Sequence, residues 1–150
     1  MDADRPLTDQ GVEQAAALGR WLQQNALAPD RVVVSVAVRA GQTWERAGAQ
    51  LTSPPTPIVD ERIYDNTVEA LLAVIHETPT DDGVVAIVGH NPSIGVLASI
   101  LDDGEGSPAA RRDLQAGFPA GCVAVFTLET PFDAIAPEGA TLTAFIVPRA

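Results

Sequence analysis

The sequence contains no lysine. All nine of its basic side chains are arginine, against twenty Asp and Glu, which leaves a formal net charge of −11 over 150 residues. Such a surface repels nucleic acid and anionic membrane, so neither is expected as a partner, and Arg gathered at one place would be a local exception with a purpose. A single cysteine, Cys122, excludes an internal disulfide. It lies in the apolar run Cys122-Val123-Ala124-Val125-Phe126 and is expected as a buried strand residue. The two His and one Cys show no metal-ligand spacing, so no metal and no cofactor is expected. There is no signal-peptide pattern and no apolar run of about 18 residues, which leads to the expectation of a soluble, cytoplasmic protein.

What is present suits one globular domain over 1–150, with 46% hydrophobic residues and length enough to bury a core. The most informative stretch is Val84-Val85-Ala86-Ile87-Val88-Gly89-His90-Asn91-Pro92. Five apolar, mostly β-branched residues predict a strand buried on both faces, and the glycine after them permits a sharp turn. Asn91 is suited to cap a helix, Pro92 to its first position, and Ile94, Leu97, Ala98 and Leu101 follow at helical spacing. His90 is thereby placed at the carboxyl end of a strand, beside a helix amino terminus that favours an anion. In open α/β sheets that rim is where ligands bind. Packing alone gives no reason for an imidazole there, whereas His76, on a helix face, reads as a structural side chain.

Elsewhere the pattern alternates. Thr8 is set to cap a helix carrying Val12, Ala15, Ala16, Leu18, Gly19 and Leu22 on its inner face, ending before Pro29. A strand is expected over 31–35, then a helix over 36–51 with Arg39, Gln42 and Thr43 on one face near its start. Helical side chains lean toward the amino terminus, which aims Arg39 back at the strand ends, the rim expected to hold His90. A short extended piece over 57–60 and a third helix over 67–78 follow. Residues 102–108 read as a solvated acidic loop, and two strands over 122–129 and 141–147 as an antiparallel hairpin at one side of the sheet.

Three stretches belong together: Asp4-Arg5-Pro6-Leu7-Thr8 with Gly11; Ser35 with Arg39, Gln42 and Thr43; and Gly89-His90-Asn91-Pro92. In order and spacing, with Phe118-Pro119-Ala120-Gly121 and Phe145-Ile146-Val147-Pro148-Arg149 near the end, they resemble the histidine phosphatase superfamily, and most its short SixA-type phosphohistidine phosphatase branch. The resemblance implies a phosphoglycerate mutase-like α/β fold, a three-layer αβα sandwich around a mostly parallel sheet. It implies a metal-independent phosphatase in which one His attacks phosphorus while two Arg and a second His bind the equatorial oxygens. Arg39 matches the second Arg and His90 the second His as catalytic residues; Arg39, His90 and Asn91 are expected to bind the phosphate, with Asn91 capping the helix behind it and Arg5 and Ser35 at the pocket rim. A guanidinium fork suits phosphate on physical grounds as well. Substrates would be a phosphorylated protein, through phosphohistidine, or a small phosphomonoester.

The chain departs from this pattern in one large respect. Members of the family carry, ahead of the Asp-Arg-Pro-Leu-Thr segment, a strand ending in Arg-His-Gly or Arg-His-Ala that supplies the nucleophile, and no such strand stands before Asp4. Neither His76 nor His90 has the nucleophile's context. The expectation is therefore an N-terminally incomplete domain, truncated and catalytically inactive as it stands, whose complete form is an active monomer. A strand of that kind buries about four apolar side chains at roughly 1.5 to 3 kcal/mol each, comparable to the roughly 5 to 15 kcal/mol stability of a whole domain. The competing expectation is a non-catalytic phosphate-binding or regulatory module. Glu61, Tyr64 and Asp65 fall where longer branches carry an acidic proton donor, though solvated loop residues would look the same. Arg5 is equally suited to a salt bridge with Asp4 or Asp9.

Overall fold

The computed structural model describes residues 2–149, which fall into two compact units. The first comprises 2–65, 81–89 and 148–149; the second comprises 66–80 and 90–147.

In the first unit, α1 (Asp9–Gln24) starts as the sequence predicts, with the Thr8 hydroxyl accepting the Gly11 N–H at 3.0 Å. Strand β1 (Arg31–Val34) lies between β2 (Ile58–Val59) and β3 (Val85–Val88), all parallel. Being central, β1 buries Val32, Val33 and Val34 almost completely. Helix α2 (Val38–Gly48) brings Trp44 and Ala47 onto Val32, Val34 and Leu51, with Leu22, Ala86 and Val88 packed around them. Its amphipathic spacing does this, since 40, 44, 47 and 48 fall on one buried stripe. Gly19 permits α1 to lie against the backbone of α2 at Ala47.

The second unit contains α3 (Val68–His76), α4 (Ser93–Leu101), α5 (Pro108–Ala116) and an antiparallel pair, β4 (Val123–Thr127) with β5 (Thr141–Ile146), which is a two-stranded sheet of its own and not, as the sequence suggests, one side of the parallel sheet. Ala98, Ala110, Leu114, Leu142 and Phe145 form its core, and Phe118 meets Phe145 edge to face at 5.3 Å. The fold is α/β with a mostly parallel sheet.

Four further expectations are corrected. Residues 85–88 are only half-buried rather than buried on both faces, because β3 is an edge strand whose outer side has no strand partner among the described residues. Cys122 stands one residue outside β4 and is likewise half-buried against the second core, where desolvation pushes its thiol pKa up. The acidic stretch is not merely a solvated loop. Asp102 pairs with Arg111 at 2.9 Å and Asp103 accepts the Thr141 hydroxyl at 2.6 Å, tying the stretch to α5 and β5. Helix α5 was not anticipated at all, although Ser107 caps Ala110 N–H and Pro108 opens the helix. Its apolar stripe is only Ala110 and Leu114, too narrow to stand out beside Arg111 and Arg112. Remaining boundaries differ by one to three residues, as at α2, which starts at Val38 because Ala37 is still extended. No helix among the described residues is long and apolar enough to cross a membrane.

Candidate functional site

β1 and β3 run parallel with Val34 opposite Val88, so the chain leaves both strands at the same end of the sheet. The Ser35 N–H donates to the Val88 carbonyl at 3.1 Å, extending the ladder by one residue. Ser35 is buried, and its Oγ accepts the Ala37 N–H at 3.2 Å, which shapes the entry into α2. Arg39 follows in the first turn of α2. His90 follows β3 after a single glycine, and its carbonyl accepts the Ser93 hydroxyl at 3.1 Å and the Ile94 N–H at 3.0 Å.

Arg39 is engaged with the first residues described. Its Nη1 donates to the Asp2 carbonyl at 3.0 Å and its Nη2 to Asp2 Oδ2 at 3.3 Å. The Tyr64 hydroxyl donates to the same Oδ2 at 2.8 Å, and Arg5 Nη2 donates to Oδ1 at 3.0 Å. Arg5 thus pairs with Asp2, three residues back in the same tight turn, and neither Asp4 nor Asp9 takes it. Both carboxylate oxygens are satisfied, and the Tyr64 hydrogen bond, helped by Arg39 and Arg5, holds Asp2 below the ordinary Asp range. The same bond pushes the Tyr64 hydroxyl above the ordinary Tyr range. Gln42 accepts the Leu7 N–H at 2.8 Å and Thr43 donates to the Arg39 carbonyl at 2.8 Å, so the face of α2 singled out in the sequence is in use.

Asn91 does not cap α4, a correction to the sequence reading. Its Nδ2 donates to the Phe118 carbonyl at 2.6 Å, Pro92 takes the capping position, and Asn66 Oδ1 accepts the Ser93 N–H at 3.1 Å. Asn66 also donates to the Asn91 carbonyl at 2.7 Å. The cap comes from 27 residues upstream, and no local pattern announces it; the one hint is Asn66 itself, an Asn beside the Thr67 cap of α3 and in the left-handed region at φ 61°. His76 is as expected, with Nε2 at 3.0 Å from the Ile135 carbonyl. Asp2, Tyr64 as its partner, and Asn66 are contributions that spacing along the chain could not reveal.

The sequence profile of the Histidine phosphatase superfamily (branch 1) matches residues 1–65. Phosphohistidine phosphatase SixA of Escherichia coli is 31% identical over 109 residues, covering 71% of this chain and 68% of the relative. The chain belongs to the histidine phosphatase superfamily. Among solved structures, a protein named for phosphohistidine phosphatase SixA from Nakamurella multipartitia is 32% identical and superposes with a TM-score of 0.86, covering all of this chain and 88% of the other. A protein histidine phosphatase SixA complexed with tungstate superposes with a TM-score of 0.71 at 25% identity, covering 97% and 86%. This member of the superfamily therefore keeps the family's α/β fold across its described residues.

Among the described residues of this histidine phosphatase relative, the carboxylates of Asp2, Asp60 and Asp103 sit below their ordinary range. Asp2 is held there chiefly by Tyr64, Asp60 by the fork of Arg62, and Asp103 by the Thr141 hydroxyl. A carboxylate with a lowered folded-state pKa binds fewer protons folded than unfolded. Its contribution is complete above the unfolded value of about 3.9 and is lost as pH falls through the lowered folded value. Thermal melts from pH 7 to 2.5 are expected to be flat down to about pH 5 and to fall below about pH 4, with Asp60→Asn flattening the acid limb.

Proposed function

We propose that this protein is a metal-independent phosphatase that removes phosphoryl groups from phosphohistidine, or from a small phosphomonoester, through a phosphohistidine intermediate. The observation that carries the reading is the placement of Arg39 and His90 just beyond the carboxyl ends of β1 and β3, neighbouring parallel strands that end in register. Arg39 offers a planar fork of N–H donors to two phosphoryl oxygens, and His90 a single ring N–H to a third. Negative charge on those oxygens persists through phosphoryl transfer, so donors already fixed in place lower the barrier. Ser35 shapes the turn that presents Arg39, and Asn91 anchors the segment after His90 on Phe118. The relatives' names support phosphohistidine as the substrate class, and a neighbour holding tungstate, a tetrahedral oxyanion, fits a phosphate seat.

In this reading the attacking group is an imidazole, and neither His76 nor His90 is assigned that part. The phosphoryl group passes from the substrate nitrogen or oxygen to that imidazole and then to water, and the leaving group takes up a proton. For phosphohistidine a protonated imidazole leaves readily, so no strong protein acid is needed, in keeping with the engaged Tyr64 hydroxyl. Residues 1–150 alone are expected to show no turnover of p-nitrophenyl phosphate or of a phosphohistidine protein. A form extended upstream in the same reading frame is expected to turn over both, and to lose this with His90→Ala. Turnover by residues 1–150 that survives His90→Ala would defeat the proposal, and an upstream frame with no Arg-His pair would leave a phosphate-binding module in its place.

A further inference from the structure

The Asp2 carboxylate is held from three directions within the first unit. Arg5 takes Oδ1, while Arg39 Nη2 and the Tyr64 hydroxyl share Oδ2. Arg39 also donates through Nη1 to the Asp2 carbonyl, so a single residue receives two N–H groups from one guanidinium. The Arg39 side chain is 23% exposed, against 65% for Arg5, so the Arg39 contact is the better shielded of the two pairs. A free Arg side chain spreads over many rotamers, and fixing it costs conformational entropy. The guanidinium is a rigid plane carrying five N–H groups in a set fork, so holding two of them sets the direction of all the others.

We propose that Asp2 is the positioning residue for Arg39, kept in place in its turn by the Tyr64 hydroxyl, so that the guanidinium is aimed before a tetrahedral oxyanion arrives. This deepens the function proposed above and rests on it for the identity of the oxyanion. Tyr64 lies 62 residues from Asp2, so its hydrogen bond ties the turn over Asp2–Asp4 to the one over Glu61–Asp65. Arg5 closes the far side of the carboxylate and stops it rotating away. The alternative for a carboxylate on this Arg is competition, in which Asp2 occupies the place of the phosphate and has to leave. The two arrangements predict opposite signs.

The test uses residues 1–150, with orthophosphate as the probe and the Arg39 side-chain nitrogen resonances as a second readout. In the parent chain the Arg39 Nη groups are expected to be resolved by hindered rotation. Asp2→Ala is expected to collapse them and to weaken phosphate binding about 10-fold, the effect of losing one hydrogen bond to a charged group. Asp2→Glu restores part of both, and Tyr64→Phe gives a smaller loss of about 3-fold. In an Arg39→Ala background neither substitution weakens phosphate binding further. Tighter binding in Asp2→Ala overturns the proposal, as do Arg39 resonances unchanged in both Asp2→Ala and Tyr64→Phe. If Asp2→Ala disturbs the backbone amide spectrum beyond its own turn, Tyr64→Phe decides by the same two criteria. Resonances that respond while Arg39→Ala leaves phosphate binding intact would refute the proposed function and uphold the positioning.

Discussion

Gly19→Ala is expected to lower the melting temperature by about 10 °C, although alanine is the better helix former. A Cβ at position 19 would stand 2.8 Å from Ala47 Cα and closer still to the Ala47 carbonyl oxygen, all of it backbone in the neighbouring helix α2. Backbone cannot rotate out of the way as a side chain can, so α1 and α2 have to separate. That opens the packing around Trp44, Ala47 and Leu22, the core of the first unit. Replacing Gly by Ala inside a helix contributes about 1 kcal/mol in the other direction. Overpacking against fixed backbone costs more, about 4 kcal/mol before that gain and about 3 after it. At roughly 2–4 °C per kcal/mol for a chain of this size, about 10 °C follows. Gly41→Ala is the matched control, since nothing lies within 4 Å of its Cβ position, and it is expected to raise the melting temperature slightly. Calorimetry of both variants checks the pair; equal shifts would mean that α1 and α2 do not pack as closely as described.

Arg39→Ala is expected to reduce affinity for orthophosphate by at least about 100-fold, the largest effect of any single substitution on binding. The reasoning is that a fork making two charge-assisted hydrogen bonds contributes about 3 kcal/mol, and every 1.4 kcal/mol is tenfold in the dissociation constant. Arg39→Lys keeps the charge and loses the second donor, and it is expected to recover no more than about a tenth of the affinity. His90→Ala removes one donor and is expected to cost about 10-fold. Isothermal titration with phosphate at low ionic strength reads all three, and the losses shrink as added salt screens the site. An Arg39→Ala chain that binds phosphate as the parent does would remove Arg39 from the proposed seat. Arg39 lies off the buried stripe of α2, which is Ala40, Trp44, Ala47 and Gly48, so removing its side chain leaves the packing of that stripe in place.

Much of the fold was legible where a physical rule acts over a few residues. The cap at Thr8, the apolar triplet Val32-Val33-Val34, the stripe of α2 and the paired strands β4 and β5 all followed from spacing, because helix and strand periods are properties of the local backbone. Arg39 and His90 were legible as candidates for the same reason: each stands a fixed few residues beyond a strand. The contacts that define their surroundings were not. Asp2 reaches Arg39 across 37 residues and Tyr64 across 62, and Asn66 caps a helix 27 residues further on. No period connects such positions.

The sequence by itself therefore determined the α/β class, the order of the elements other than α5 and the two residues placed at the strand ends, since these depend on local propensity and hydrophobic period. Only the tertiary structure decided that Asp2 and Tyr64 hold Arg39, that Asn66 and not Asn91 satisfies the amino terminus of α4, and that β3 lies at an edge of its sheet. A hydrogen bond is satisfied by whichever partner the packed chain brings within about 3 Å, and that is settled by the fold as a whole.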